Sequence, residues 1–231
     1  MYPPPGGWPS IVNADPDALK LLGKSNEVLS LFAHLPYMRV DCDGWHSEAE
    51  AAPACFFASW PDMIQMLTKD PSDIESVRVR TEGDLGKLKA PHVIGLTSNR
   101  WDDPLMVIDT EFGLIHWQEC PIEIFQEYGE STVPYEWDDD VDEKEAEWRE
   151  EAVPWAIRDN LKNQFKKLNW IPISPRTVRR ASSLGRGKGD TVVDRLRDIY
   201  RQHGWPDLGA YHKSECLEAV DRALADCYPE T

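Results

Sequence analysis

The sequence predicts an α+β fold: a mixed, largely antiparallel sheet packed against helices, with a helical C-terminal extension. Three observations carry that expectation. Three β-rich runs, at 93–97 (Val-Ile-Gly-Leu-Thr), 105–109 (Leu-Met-Val-Ile-Asp) and 114–117 (Leu-Ile-His-Trp), follow one another closely. Only Thr110-Glu111-Phe112-Gly113 separates the last two, a length suited to a hairpin in which glycine supplies a positive φ. The segments before and after these runs carry apolar residues at helical spacing, so the strands are grouped together instead of alternating one by one with helices.

Each element has its own local reason. Residues 1–14 read as an extended lead-in, because proline fixes φ and withholds a donor, and no helix is expected in the first ten. Asp15 caps a helix with Pro16 at its first position, and Gly23 stops it. Ser25 or Asn26 restarts a helix whose Val28, Leu31, Phe32 and Leu35 share a face, and Leu35-Pro36 ends it. Residues 41–54 are polar and small and read as loop. Cys55 to Ala58 reads as a strand or buried turn, and Trp60 to Leu67 as a short helix with Met63, Ile64 and Leu67 facing in. Residues 69–90 read as loop with one short strand at 76–80. The run 105–109 is apolar on both faces, so helices are expected over part of its second side. Beyond the sheet, 155–168 reads as a helix with Ile157, Leu161, Phe165 and Leu168 on one face. Two further helices, 191–203 and 214–227, close the chain. The expected organisation is a lead-in (1–14), an α+β domain (15–170) holding an acidic segment at 136–151, a basic flexible loop (171–190), and a C-terminal helical pair (191–231) packed on the same domain.

The chain has 231 residues, with Lys plus Arg 25 and Asp plus Glu 41, for a formal charge of −16. That balance argues against nucleic acid and against an anionic membrane surface, and favours a partner with a basic patch. No window approaches a membrane span, and no signal peptide is visible at the start. Five widely spread cysteines read as reduced thiols of a cytoplasmic or nuclear protein. Ten acidic residues fall between Glu136 and Glu151, whereas residues 174–201 are rich in arginine. Pairing between these two segments is the simplest use of both.

Several motifs invite chemistry. Gly185-Arg186-Gly187-Lys188-Gly189-Asp190 is not a phosphate loop, because glycine follows the lysine and no buried strand precedes it. Cys42, His46, His212 and Cys216 are acceptable zinc-ligand types, and His212 and Cys216 could share a helix face. The two halves are far apart in sequence, however, and neither forms a short Cys-x-x-Cys knuckle. Asp102, Asp103, Asp109 and Glu111, with His116 one strand later, form an acid–base or metal-binding candidate; solvated turn chemistry is the competing reading. Arg179-Arg180-Ala181-Ser182 resembles a basic-directed kinase site, within a segment 174–190 expected to be mobile.

The stretch 35–117 resembles the SUKH superfamily of fungal cell-wall-synthesis regulators and bacterial immunity proteins. The residues that carry the resemblance are Leu35-Pro36-Tyr37 after a helix, the run from His92 to Thr97, the run from Leu105 to Asp109, and Gly113 to Trp117. The likeness spans roughly 15–170 and departs from the family pattern at Asp43-Gly44 and at Asn99 to Asp103, as in a divergent fungal-type member. The resemblance implies an α+β domain with a binding role and no cofactor. The favoured expectation is therefore a non-catalytic interaction module docking a basic protein partner. Its expected contacts are Trp101, Asp102, Asp103, Trp117, Trp137, Asp138, Asp139 and Asp140, with no nucleic acid or membrane involved. The alternative is an enzyme using the Asp102/Asp103/Asp109/Glu111/His116 group, with or without a divalent metal.

Overall fold

A computed structural model describes residues 1–38, 48–83, 91–99, 104–117, 120, 124, 153–154, 157–184 and 191–228, with 153–154 and 157–160 described by backbone alone. The fold is α+β, with small antiparallel sheets and packed helices. The chain divides into two compact units: Met1–Glu48 with Cys55–Ile157, and Ala49–Ala54 with Arg158–Thr231.

The first unit begins with a short helix, α1 (Pro9–Val12), inside the stretch expected to be extended. Proline does not forbid it, because Pro9 stands at the first helical turn, where its missing N–H has no partner to lose, and Ile11 is buried. α2 (Pro16–Leu22) has the expected signals: the Asp15 carboxylate accepts the Asp17 N–H, and Gly23 turns out in the left-handed region at φ 66°. α3 (Asn26–His34) is capped by Ser25, whose hydroxyl accepts the Val28 N–H, and it ends in extended backbone at Leu35. α4 (Trp60–Lys69) buries Trp60, Met63, Ile64 and Leu67.

The expected strand at 76–80 is instead part of α5 (Ile74–Glu82), entered through a short 3-10 turn, Pro71–Asp73, that Asp70 caps. Val77-Arg78-Val79-Arg80 alternates as a strand does. Here Val77 and Thr81, four apart, are buried while Val79 is exposed, so helical period wins.

The segment 49–54 leaves the first unit, and its strand β1 (Glu50–Ala52) belongs to the second. In the first unit β2 (Cys55–Phe57) pairs with β4 (Thr97–Ser98). A four-stranded sheet runs in the order β3 (Val93–Gly95), β5 (Met106–Asp109), β6 (Leu114–Trp117), β7 (Val153–Pro154), all neighbours antiparallel. The run expected at 93–97 is thus two strands, broken at Leu96. The β5–β6 hairpin turns through Thr110 to Gly113, with Gly113 at φ 66°. Both faces of β3, β5 and β6 are buried.

Gly95 places α5 against that sheet. A Cβ on it would stand 2.1 Å from the Thr81 carbonyl oxygen, and the Gly95 carbonyl accepts the Trp60 indole N–H at 3.0 Å. Trp60 in turn stacks on Phe32 with ring centres 4.1 Å apart. Close by in chain order, Lys24 meets Glu82 at 2.5 Å, each side chain only 4% exposed.

The second unit holds β1, α6 (Ile157–Lys166), the hairpin β8 (Trp170–Pro172) and β9 (Val178–Arg180), α7 (Ala181–Leu184), α8 (Thr191–Gln202) and α9 (Lys213–Cys227). Its core is Leu168, Ile171, Val192, Val193, Leu196, Tyr200, Cys216, Val220 and Ala223. The C-terminal helices share this core with the β8–β9 region. Residues 174–184 form hairpin and helix where a mobile loop was expected. Two buried residues, Ile171 and Val178, anchor the hairpin, and the Ser174 hydroxyl accepts the N–H groups of Arg176 and Thr177 in its turn. Residues 185–190 lie outside the described residues, as does the acidic segment 136–151. Among the described residues, four arginines of the basic segment form ion pairs: Arg179 with Glu50, Arg195 with Asp226, Arg197 with Asp194 and Arg201 with Asp198. No helix among the described residues is long and apolar enough to cross a membrane.

Two measurements check this core. Gly95→Ala forces backbone against backbone and should cost about 3 kcal/mol or more in urea unfolding, above the usual range for overpacking. Lys24→Met should cost about 3–5 kcal/mol because it strands a buried carboxylate, while Lys24→Met with Glu82→Leu should recover most of that loss. Equal loss in the single and double variants would show that the pair does not matter as a pair.

Candidate functional site

Of the carboxylates and histidine singled out in sequence, Asp109, Glu111 and His116 lie on the β5–β6 hairpin, and its turn uses Asp109 itself. Register places Val107 opposite His116 and Asp109 opposite Leu114, so Asp109 and His116 are diagonal neighbours on one sheet face. Both are buried at 3% exposure. An Asp109 carboxylate oxygen accepts the N–H of Glu111 at 2.9 Å and of Phe112 at 3.2 Å, which satisfies the turn that its side chain begins. Burial pushes the His116 imidazole down to about 4, with the Asp109 charge working in the opposite direction. At neutral pH this ring is uncharged.

Glu111 lies at the turn with its side chain 54% exposed, 4.0 Å from the His92 ring. Asp109 and His116 are therefore enclosed while Glu111 faces out, and the three do not line one open cleft. Asp102 and Asp103 lie outside the described residues.

Of the expected partner contacts, Trp117 is buried in β6 at 8% exposure, so it serves the core and not an exposed anchor. It alternates with His116 along a strand covered on both sides, which apolar periodicity alone left ambiguous. Trp101, Trp137, Asp138, Asp139 and Asp140 lie outside the described residues.

Cys42 and His46 also lie outside them. His212 and Cys216 do not share a helix face. His212 precedes α9 in non-helical backbone at ψ 77° and is exposed, whereas Cys216 is fully buried with its thiol pushed up by desolvation. Among the described residues no group of three or more His, Cys, Asp or Glu is arranged to hold a metal.

Not legible in the sequence is a concavity of about 230 Å³ in the first unit, whose lining includes Met1, Trp8, Tyr37, Met38, Pro61 and Asp62. Trp8 precedes α1 and donates its indole N–H to the Leu35 carbonyl at 2.7 Å. Tyr37 follows the Leu35-Pro36 exit from α3 and donates its hydroxyl to the Phe32 carbonyl at 2.7 Å. Those two bonds hold the rings at a 57° tilt with centres 6.0 Å apart. Pro61 and Asp62 come from the first turn of α4, where the Ser59 hydroxyl donates to the Asp62 carboxylate at 2.5 Å. The result is an aromatic and thioether wall with the exposed Asp62 carboxylate and the Met1 ammonium, which donates to the Tyr37 carbonyl at 2.6 Å, both at the same concavity. The aromatic faces and the carboxylate are groups on which a cationic side chain can rest. A larger groove of about 830 Å³ between α8 and α9 is lined by both signs, including the Arg195–Asp226 pair, and selects for no charge.

No family model matches this chain, and neither a curated protein nor a solved structure matches it.

Burial of His116 makes the stability of the fold depend on pH. An unfolded imidazole titrates near 6.5 and the folded one near 4, so between those values the unfolded chain binds the extra proton. Stability from this group is complete above about 6.5 and drains as pH falls toward 4, by on the order of 2–3 kcal/mol. Urea midpoints should fall from pH 7.5 to 5 in the parent chain and fall less in His116→Gln. Ring resonances of His116 that move near pH 6.5 would contradict the burial argument.

Proposed function

We propose that this chain is a SUKH-like, non-catalytic interaction module of the cytoplasm that docks a basic protein partner. The observation that carries the proposal is the concavity of Trp8, Tyr37 and Asp62 on a chain of formal charge −16. An ammonium or guanidinium from the partner would lie over the aromatic faces with the Asp62 carboxylate as counter-charge, and the net negative field would speed its arrival. The hairpin favours the same reading, because Asp109 caps a turn and His116 is held neutral in the sheet, which leaves neither as an accessible acid or base at neutral pH. The SUKH-like assignment draws support from chain order: a helix leaving at Leu35-Pro36, then antiparallel strands ending in the β5–β6 hairpin.

The test is fluorescence or calorimetric titration of the intact chain with a lysine- and arginine-rich peptide. Affinity should fall as salt rises. Asp62→Asn and Trp8→Leu should each weaken binding roughly two- to fivefold, as expected of one exposed cation–aromatic contact. Salt-independent binding, or unchanged affinity in both variants, would remove the concavity from the reading.

A further inference from the structure

We propose that Ser182 is the phosphate acceptor for a basic-directed serine/threonine kinase, and that Glu50 restrains it by holding the recognition arginine, Arg179. Two sites in the described residues place an arginine three positions before a hydroxyl with a second basic residue between. One is Arg78-Val79-Arg80-Thr81, the other Arg179-Arg180-Ala181-Ser182. Burial separates them. Thr81 is fully buried in α5 and donates its hydroxyl to the Val77 carbonyl at 2.9 Å, so no kinase reaches it in the fold. Ser182 is exposed in the first turn of α7, and its hydroxyl bonds to no described residue. Its neighbour Ser183 is tied down, donating to the Arg180 carbonyl at 2.7 Å.

The two arginines differ in availability. Both are exposed, Arg179 with 45% of its side chain accessible, but the Arg179 guanidinium donates to both Glu50 oxygens, at 3.1 and 3.3 Å, and to the Val178 carbonyl at 3.1 Å. Glu50 itself is largely buried, with its side chain 6% exposed, and also accepts the Val178 N–H. One carboxylate thus fastens β1 to β9 and occupies the arginine that a basic-directed kinase would bind through its own acidic groups. The step is ordinary phosphoryl transfer from ATP. The Ser182 Oγ–P bond forms as the bond from the γ-phosphorus to the bridging oxygen breaks, the hydroxyl proton passes to the kinase's base, and ADP leaves. The product carries about −1.5 to −2 charges three residues from Arg179 and competes with Glu50 for it.

The experiment incubates the intact chain with Mg–ATP and the catalytic subunit of cyclic-AMP-dependent protein kinase, and locates phosphate by fragmentation mass spectrometry. One phosphate is expected, on Ser182. It should be lost in Ser182→Ala, retained in Ser183→Ala, and slowed roughly tenfold in Arg179→Gln, the loss of a charge-assisted pair. Glu50→Gln keeps an acceptor for the Val178 N–H but removes the negative charge that holds Arg179, and should speed the reaction roughly two- to fivefold. A peptide spanning 176–188 gives the rate of the unrestrained motif. Phosphate on the peptide but none on the folded chain would overturn the proposal, as would equal labelling in Ser182→Ala. A Glu50→Gln chain that folds, by its urea midpoint, yet reacts no faster would overturn the restraint. Should Glu50→Gln fail to fold, Glu50→Asp, whose shorter side chain loosens the same grip, replaces it with the same expected direction.

Discussion

The first unit depends on one residue that has no side chain. Gly95 presents its Cα to the Thr81 carbonyl and its own carbonyl to the Trp60 indole, so α5, α4 and β3 meet there. Any Cβ would push the helix off the sheet. Around this point the remaining contacts become possible: Trp60 stacks on Phe32 of α3, the Asn99 N–H reaches the Arg80 carbonyl at 2.6 Å, and Glu82 is carried to Lys24. The Lys24–Glu82 pair is a costly way to fill space, since both charges leave water, and it is tolerated because each satisfies the other.

That packing also decides what the hairpin chemistry is for. Val93, Gly95, Val107, Asp109, Leu114 and His116 fall on one face of the sheet by register, and α5 approaches that face at Gly95. Carboxylate and imidazole are therefore buried components of the fold: the first terminates a strand, the second remains neutral. Elsewhere in the unit, α1, the exit of α3 and the start of α4 place aromatic rings beside an exposed carboxylate. A fold of this class prescribes no function by itself.

Charge is handled at two ranges. Arginines of the second unit pair with nearby acids, and exposed pairs of this kind add little to stability. The Arg179–Glu50 contact differs because its acid is largely buried and also serves a backbone N–H, which makes it a tie between β1 and β9. The formal charge of −16 is a long-range property of the whole chain, which bears on encounter more than on fold.

Features with a local cause were legible in the sequence. The Asp15 cap, the Gly23 stop, the exit at Leu35-Pro36 and the β5–β6 turn each depend on the φ preferences or hydrogen bonds of two to four adjacent residues. The two C-terminal helices were legible through apolar period. Features set by distant contacts were not. Whether Val77-Arg78-Val79-Arg80 is strand or helix depends on Thr81 meeting Gly95; whether residues 174–184 are ordered depends on Ile171, Val178 and a glutamate more than a hundred residues earlier. His116 and Trp117 look alike as site or core in sequence, since burial is a property of what covers them. The sequence by itself determined the α+β class, the helix ends and the charge, because those arise from near neighbours and composition. Only the tertiary structure decided which polar groups are enclosed and which remain open to a partner, because desolvation is set by residues far apart along the chain.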